Sequence, residues 1–385
     1  MGLGNYSRII MKKIIMALAA VAMAACSGPA FDPAAVADAT AQQVTRVEPL
    51  SWWVGMKTHL QLRVQGENIS GYDVAVEGGK GVSVAKVNKA ESPNYLFVDV
   101  KIAPNAKPGT YYIVFSKDGE SFKSPYEIAA RVEGSAERKG FTTADMVYLI
   151  MPDRFANGDA SNDSTDDTTE DADRKRRGGR HGGDIQGVID HLDYISELGA
   201  TYIWTTPFLE DNDPMGSYHG YAASDYYHID SRFGSNELYK ELVEKAREKG
   251  LGIIIDIVPN HCSYVHWWMN DLPFQDWIHQ FDTYTGTNVA FSTNMDPNAS
   301  AKDLYIQESG WFVPTMVDMN LDNPYVLRYF QQWAIWWIEY ANLDGLRVDT
   351  YPYNEKMPMS EWCKAVMEEY PNFNIVGEVW TSSIP

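Results

Sequence analysis

One stretch of the sequence, Gly345-Leu-Arg-Val-Asp-Thr-Tyr-Pro-Tyr353, has the composition of a short buried strand that ends in polar residues. Apolar residues flank Arg347, and Pro352 ends the strand. Because side chains two positions apart in a strand point to the same face, Arg347 and Asp349 emerge together. The arginine can hold the carboxylate ionised, as a nucleophilic carboxylate requires. On spacing alone, a structural ion pair at a strand end remains an alternative.

Two other apolar runs end in the same way. The run Asn374-Ile-Val-Gly-Glu-Val-Trp380 reaches Glu378, and a helical stretch from about 360 to 370 separates it from Asp349. Earlier in the chain, Leu251-Gly-Ile-Ile-Ile-Asp-Ile-Val-Pro-Asn-His261 is a buried strand with polar residues at its C-terminal end. Parallel strands that place polar residues at one common end are typical of the active face of a (β/α)8 TIM barrel.

These motifs resemble a known family. DIVPNH (256–261), GLRVD (345–349) and GEVW (377–380) resemble, in this order, three of the four signature regions of the α-amylase family of glycoside hydrolases. MPDRFANGD (151–159) and YHGY (218–221) extend the resemblance to its neopullulanase/cyclomaltodextrinase branch, in the form found in Bacteroides-type starch-utilisation systems. The resemblance runs from about Trp52 to the C-terminus. It implies a retaining α-glucan hydrolase acting on α-1,4 bonds, with α-1,6 bonds as a second option, in maltodextrins, cyclodextrins or pullulan.

The resemblance also implies roles for individual residues. Retaining glycosidases use two carboxyl groups, one as nucleophile and one as proton donor. Asp349 is expected to be the nucleophile and Glu378 the proton donor, and we expect Val379 and Trp380 to desolvate Glu378 and raise its pKa. The expected sugar-binding residues are His219, Tyr221, His261 and Arg347, and the residues expected to brace the site around Arg347 are Asp256 and Asn260.

A calcium site is the second prediction. Short oxygen-bearing side chains surround a glycine in residues 157–163, and Gly182-Gly-Asp184 follows downstream. Ca²⁺ binds six to eight oxygen ligands, although an Asx-rich surface turn has a similar composition. The resemblance implies a structural Ca²⁺ held by the Gly182 carbonyl and by the side chains of Asn157, Asp159, Asn162, Asp163 and Asp184.

Residues 1–26 have the form of a signal peptide. Arg8, Lys12 and Lys13 precede an apolar run over 14–25 that is too short to span a bilayer. The run ends in Met23-Ala-Ala-Cys26, which resembles a bacterial lipoprotein cleavage box. We therefore predict export to the periplasm or outer membrane with a lipid on Cys26. Simple cleavage after an A-x-A site at residues 22–24 is the alternative.

The remaining chain divides into two predicted domains after a linker at 27–45. Residues 46–135 contain short alternating strands and are predicted to form a β-sandwich. Residues 136–385 are predicted to form the barrel, with an inserted subdomain at about 262–323. The Trp52–Trp53 pair is expected to pack into the sandwich edge. The resemblance further implies a possible homodimer through the N-terminal domain.

Composition limits the partners. The 385 residues carry a formal net charge of −20, which argues against binding nucleic acid or an anionic membrane through a basic surface. A neutral glucan is compatible with this charge. Only Cys262 and Cys363 follow Cys26, and no disulfide or thiolate metal site is expected.

Three points qualify the functional prediction. A glucanotransferase of the same family would carry the same residues, whereas a non-catalytic glucan-binding or transport-accessory protein is disfavoured by the presence of Asp349, Glu378 and Arg347. Pro352-Tyr353 stand where many relatives have Lys-His, so linkage preference does not transfer. Five barrel strands are identifiable, so the resemblance places three more strands and a third carboxylate beyond Pro385. We therefore expect these 385 residues to be an incomplete catalytic domain that is inactive by itself.

Overall fold

The computed structural model describes residues 43–380. The predicted signal peptide, with Cys26, lies outside this range, as does most of the linker. None of the helices within 43–380 is long and apolar enough to cross a membrane.

The N-terminal part is the predicted β-sandwich of two four-stranded sheets. One sheet has the order β1 (Arg46–Glu48), β3 (Leu60–Gln65), β6 (Tyr95–Ile102), β5 (Val82–Lys89). The other has the order β2 (Ser51–Trp53), β8 (Glu120–Ala129), β7 (Gly109–Lys117), β4 (Asp73–Glu77). Three alternate residues in the middle of β7, Tyr111, Ile113 and Phe115, are buried, as expected of the inward face of a strand. Trp52 and Trp53 are buried, as expected of a packed pair.

The C-terminal part contains a parallel sheet of barrel type. Its order is β15 (Ile375–Gly377), β14 (Gly345–Val348), β11 (Gly252–Ile257), β10 (Tyr202–Thr205), β9 (Val147–Ile150). Every adjacent pair is parallel. The carboxyl ends of all five strands therefore lie along one edge, where the sequence places its polar residues.

Seven α-helices accompany this sheet within the described residues. They are α1 (Pro152–Phe155), α2 (Ile185–Asp190), α3 (Leu192–Glu197), α4 (Asn236–Glu248), α5 (Ala301–Ser309), α6 (Pro324–Ala341) and α7 (Lys356–Glu369). The apolar stripe of α6, which includes Phe330, Trp333 and Trp337, is fully buried and forms part of the core. The Trp333 and Trp337 ring N–H groups both donate to the Tyr226 carbonyl.

The apolar residues over 185–198 have the spacing of a single helix, but the chain breaks at His191 into α2 and α3. The His191 ring Nδ1 lies 2.8 Å from the Gly187 carbonyl, the acceptor that its own backbone N–H would use in a continuous helix. That N–H bonds to the Val188 carbonyl instead. The ring therefore competes with the backbone for the helical hydrogen bond.

A long insertion lies between β11 and α6. Its regular elements are a two-stranded antiparallel pair, β12 (His261–Ser263) with β13 (Met316–Asp318), and α5. Because β12 begins four residues after β11 ends, this pair is held at the carboxyl edge of the parallel sheet. The insertion therefore stands beside the strand ends that carry the candidate catalytic residues.

Candidate active site

Arg347 lies at the centre of the candidate site. On β14 it is in register with Asp256 of β11 on one side and with Val376 of β15 on the other. Its Nη1 lies 2.7 Å from Asp349 Oδ1 and 2.9 Å from Asp256 Oδ1, and its Nη2 lies 2.7 Å from Glu378 Oε1. One guanidinium therefore brings together three carboxyl groups from three adjacent strand ends.

Asp349 follows the last residue of β14 and is 7% exposed. Burial raises its pKa to about 6, because it outweighs the nearby Arg347 charge, and the Glu378 charge raises the pKa further. At neutral pH the carboxyl is still mainly ionised. It therefore has the charge state that the predicted nucleophile needs.

The predicted rise in the Glu378 pKa is wrong for this structure. Burial does push the pKa of this carboxyl upward, but hydrogen bonds with Trp380 and the Thr350 backbone N–H, together with the Arg347 charge, outweigh burial and lower it. The two residues expected to desolvate it, Val379 and Trp380, are 55% and 67% exposed. The carboxyl therefore remains solvated and paired with a cation, which favours its ionised form.

Asp256 braces Arg347, as predicted. It is fully buried, and besides Arg347 it accepts hydrogen bonds from Trp204 Nε1 at 2.9 Å and from the Tyr221 hydroxyl at 3.0 Å. Burial raises the pKa of Asp256 to about 7 against the opposing effect of Arg347. Asp256 thereby fixes both the arginine and the tyrosine ring that faces the cavity.

Asn260, expected to brace the site around Arg347, hydrogen-bonds within residues 43–380 to His261 and Asp318 and not to Arg347 itself. Its side chain lies between Asp318, at 3.2 Å, and His261 Nδ1, at 3.0 Å. The reason is that Asn260 lies beyond β11, where the chain turns away from the sheet into β12. Asn260 therefore orients His261 instead.

His219, Tyr221 and His261 all line the same cavity as the three site residues Arg347, Asp349 and Glu378. Burial lowers the pKa of His219 and of His261 to about 4, so both rings are neutral at physiological pH. A neutral imidazole offers one donor and one acceptor, as a sugar hydroxyl does. The structure thus brings together all the residues that the sequence assigned to the sugar.

The cavity has a volume of about 620 Å³, and much of its lining was missed by the sequence. Phe312 stacks on His261, with ring centroids 5.7 Å apart and planes 9° from parallel, and meets Tyr353 edge-on at 5.4 Å. The missed lining residues from the insertion are Tyr284, Gly286, Thr287, Val289, Phe312, Val313 and Met316. The only sequence feature that pointed to these lining residues was an insertion rich in aromatic residues that follows a strand ending in polar residues.

The predicted calcium ligands adjoin one loop between β9 and α2. Asn157 Nδ2 donates to Asp163, and a Cβ built on Gly182 would collide with both side chains. The Asn162 side-chain oxygen is buried without a hydrogen-bond partner. Asp184 caps α2 through the Gly187 N–H and also accepts from the Gly158 and Asp159 N–H groups, whereas Asp159 itself accepts from Ser161.

These contacts partly fit a hard cation. The unpartnered Asn162 oxygen and the close approach of Asn157, Asp163 and Gly182 suit oxygen ligation. No cluster of three or more His, Cys, Asp or Glu groups able to hold a metal is present within residues 43–380. A cation here would therefore depend on amide and carbonyl oxygens as much as on carboxylates.

Two family models match the chain. Residues 149–384 match the model described as alpha amylase, catalytic domain, and residues 46–132 match cyclomaltodextrinase, N-terminal. The first match contains the entire cavity, and the second contains the β-sandwich.

Curated proteins show the same likeness over part of their length. A cyclomaltodextrinase of Geobacillus thermopakistaniensis (strain MAS1) is 32% identical over 245 residues, which are 62% of this chain and 39% of that protein. Neopullulanase 2 of Thermoactinomyces vulgaris is 32% identical over 253 residues, 62% of this chain and 40% of that protein. The chain spans about two fifths of the length of these relatives.

Solved structures of α-amylases are also similar to this chain over part of their length. The Anoxybacillus α-amylase structure matches with a TM-score of 0.53 and 34% identity over 62% of this chain and 47% of that chain. The α-amylase from Geobacillus thermoleovorans, solved in complex with acarbose, matches with a TM-score of 0.50 and 34% identity over the same shares.

Proposed function

Because the chain belongs to the α-amylase family of glycoside hydrolases, we propose that the intact protein that contains it hydrolyses α-1,4 glucosidic bonds of maltodextrins, cyclodextrins or pullulan with retention of configuration. Bonds of the α-1,6 type are the second linkage to be tested. The observation that carries the proposal is the contact of one guanidinium, Arg347, with both Asp349 and Glu378 at the ends of adjacent strands.

The proposed reaction has two steps. Asp349 attacks the anomeric carbon and forms a glycosyl ester, while Glu378 gives its proton to the departing glycosidic oxygen. In the second step Glu378 removes a proton from water, the water oxygen attacks the anomeric carbon, and the bond to Asp349 breaks. Each carboxyl group thereby returns to its starting state.

The first step requires the proton to be on Glu378 and the negative charge on Asp349. The pKa directions in the substrate-free site are the reverse of this, because Asp349 is the more buried of the two. A bound glucan would cover Glu378, displace water from it and raise its pKa. Substrate binding is therefore part of the proposed activation of the acid.

Product analysis of the intact protein on maltoheptaose, cyclodextrin and pullulan tests the proposal. Short oligosaccharides released as α-anomers support retaining hydrolysis. Longer products built from maltoheptaose would indicate a glucanotransferase, in which a sugar replaces water in the second step. Absence of any product from all three glucans would contradict the proposal.

We also propose that the loop at 157–163, with Gly182 and Asp184, binds Ca²⁺ in a structural role. The buried, unpartnered Asn162 oxygen supports this. Excess chelator should lower the melting temperature, and Asp163→Ala should remove that sensitivity. Ser235→Ala, which removes the cap of α4 far from the loop in sequence, is the control that should stay sensitive to chelator. A wild-type melting curve unchanged by chelator would contradict the proposal.

Export with a lipid on Cys26 and dimerisation through the β-sandwich are further proposals. The first is supported by the basic residues, apolar run and cysteine of residues 8–26, and the second by the match of residues 46–132. Cys26→Ala should move the protein from the membrane to the soluble fraction. Sedimentation should give the mass of two chains for the intact protein, and a single-chain mass would exclude the dimer.

A further inference from the structure

His279 connects two buried carboxyl groups outside the cavity. Its Nδ1 lies 2.7 Å from Asp318 Oδ1, and its Nε2 lies 3.5 Å from Glu355 Oε1. The three residues come from different parts of the fold. His279 belongs to the insertion, Asp318 ends β13, and Glu355 immediately precedes α7. One imidazole therefore bridges the insertion and the segment that follows Asp349.

The buried carboxyl group of Glu355 is paired with His279. The residue is 6% exposed, and neither carboxyl oxygen has a well-aligned hydrogen-bond partner among residues 43–380. Burial raises its pKa to about 8, with the Asp318 charge acting in the same direction and His279 acting against it. Near neutral pH this carboxyl therefore holds a proton that it can share with the imidazole.

The bridge continues toward the cavity. The second oxygen of Asp318 lies 3.2 Å from Asn260 Nδ2, Asn260 Oδ1 lies 3.0 Å from His261 Nδ1, and His261 Nε2 lies 3.1 Å from the Tyr221 carbonyl. Asp318 and Asn260 are 1% exposed, as is His261. A continuous series of buried and partly buried polar contacts thus joins Glu355 to a ring that lines the cavity.

The proton positions along this series are interdependent. A carbonyl only accepts, so Tyr221 requires the proton of His261 on Nε2. If Asp318 is ionised, the NH₂ group of Asn260 donates to it. The Asn260 Oδ1 atom then faces His261 Nδ1 and requires a proton on that nitrogen as well. A neutral ring cannot meet both requirements. Both hydrogen bonds of the His261 ring can form when Asp318 is protonated. The Asn260 side-chain amide then flips, so that its Oδ1 accepts from the Asp318 hydroxyl and its NH₂ group donates to His261 Nδ1.

We propose that Asp318, His279 and Glu355 form a proton-sharing bridge that sets the Asn260 amide and thereby positions His261 in the cavity. His279 is thus assigned as a positioning residue that does not touch the substrate. Its effect on glucan cleavage rests on the proposed function, whereas its effect on the His261 ring does not. Asp276 and Asp322 also face His279 and add to the negative potential around it.

Histidine-selective ¹⁵N NMR of the intact protein tests the bridge directly. The wild-type His261 ring should show a single neutral tautomer, and His279→Gln should change its tautomer signals. Glu355→Gln keeps the shape of the carboxyl but cannot release a proton, so it should remove the pH dependence of the His279 signals between about pH 7 and 9. His228→Gln is the matched control, because His228 also pairs with a buried aspartate, Asp225, at 3.1 Å, but neither residue belongs to the bridge.

Stability gives a second readout. The folded protein holds a proton on Glu355 up to about pH 8, whereas the unfolded chain releases it near its ordinary value of 4.5. The free energy of unfolding should therefore fall as pH rises between these values, and Glu355→Gln should reduce this slope. His228→Gln should keep the contribution from Glu355.

The activity readout separates the two proposals. If wild type cleaves maltoheptaose, His279→Gln should reduce kcat/KM by about 3- to 30-fold, the range of coupling through packed networks, and change its pH profile. An inactive wild type with the expected NMR changes would overturn the proposed function and leave the bridge supported. Wild-type His261 signals in both His279→Gln and Glu355→Gln would overturn the bridge. If His279→Gln does not fold, the Glu355→Gln spectra and stability slope decide the question alone.

Discussion

The two walls of the cavity are built in different ways. The strand-end wall consists of Arg347, Asp349 and Glu378, whose proximity follows from the register of three parallel strands. Arg347 lies 2.7 Å from each of the two carboxyl groups. The insertion wall contains Phe312 and other apolar residues on irregular backbone. The strand-end wall is suited to catalysing cleavage of the glycosidic bond, and the insertion wall is suited to contact with the apolar face of a sugar. We therefore expect mutations in the first wall to change kcat and those in the second to change KM.

The largest effect should come from Asp349→Asn. The variant loses the proposed nucleophile but keeps the shape of the side chain, so kcat in the intact protein should fall by about 10⁴-fold or more. Asp344→Asn is the control, because Asp344 lies at the opposite end of β14, where it accepts the Ile253 N–H. Steady-state kinetics with circular dichroism as a folding check decides the outcome. Activity above a few per cent in a folded Asp349→Asn variant would falsify the assignment.

Glu378→Gln should have the next largest effect. Removal of a general acid should reduce kcat on maltoheptaose by about 10²- to 10⁴-fold. Maltosyl fluoride should be cleaved with a much smaller loss in its first step, because fluoride leaves without a proton. Equal losses on both substrates would show that Glu378 has a role other than proton donation.

The pH dependence of kcat/KM is a further test of the strand-end wall. Asp349 must be ionised to attack while Glu378 keeps its proton. In the substrate-free protein the pKa of Asp349, about 6, is the higher of the two, so kcat/KM should fall about tenfold per unit as pH rises above 6. Glu378→Gln removes the group that must stay protonated, so this alkaline limb should disappear. An alkaline limb in the same place in both proteins would contradict the assignment of Glu378 as the proton donor.

The insertion wall should give the smallest effect. Phe312→Ala removes the ring that stacks on His261 and meets Tyr353, so KM for maltoheptaose should rise about two- to twelvefold with kcat little changed. Tyr264→Ala is the control, since Tyr264 is an exposed aromatic residue of the insertion that does not line the cavity. A loss in kcat without a change in KM would place Phe312 with the strand-end wall.

The two walls also differ in how far the sequence predicts them. Arg347 and Asp349 lie on a regular strand, so the period of two and the parallel topology suffice to predict that they meet Glu378. Phe312 and Tyr284 lie in loops, whose paths depend on contacts between distant residues, such as that between Trp311 Nε1 and the His279 carbonyl. Sequence periodicity carries no information about such contacts.

The prediction of the Glu378 pKa failed because it assumed that the neighbouring side chains are buried. The sequence places Val379 and Trp380 beside Glu378, yet both side chains are largely exposed and the carboxyl pairs with Arg347 instead. The hydrogen-bond partners of Asn260 were not predicted, because the direction of the chain after β11 depends on β12 pairing with β13. That Arg347, Asp349 and Glu378 lie together was thus predictable, whereas their pKa directions and further hydrogen-bond partners required the structure.

The covalent intermediate on Asp349 is the central claim. Rapid-quench mass spectrometry of the intact Glu378→Gln protein with maltosyl fluoride tests it, because this variant should form the ester quickly and hydrolyse it slowly. We predict a maltosyl adduct on the peptide that contains Asp349, absent from the Asp349→Asn control. An adduct on a different peptide, or cleavage of the fluoride without any adduct and with a β-anomer as product, would contradict the account.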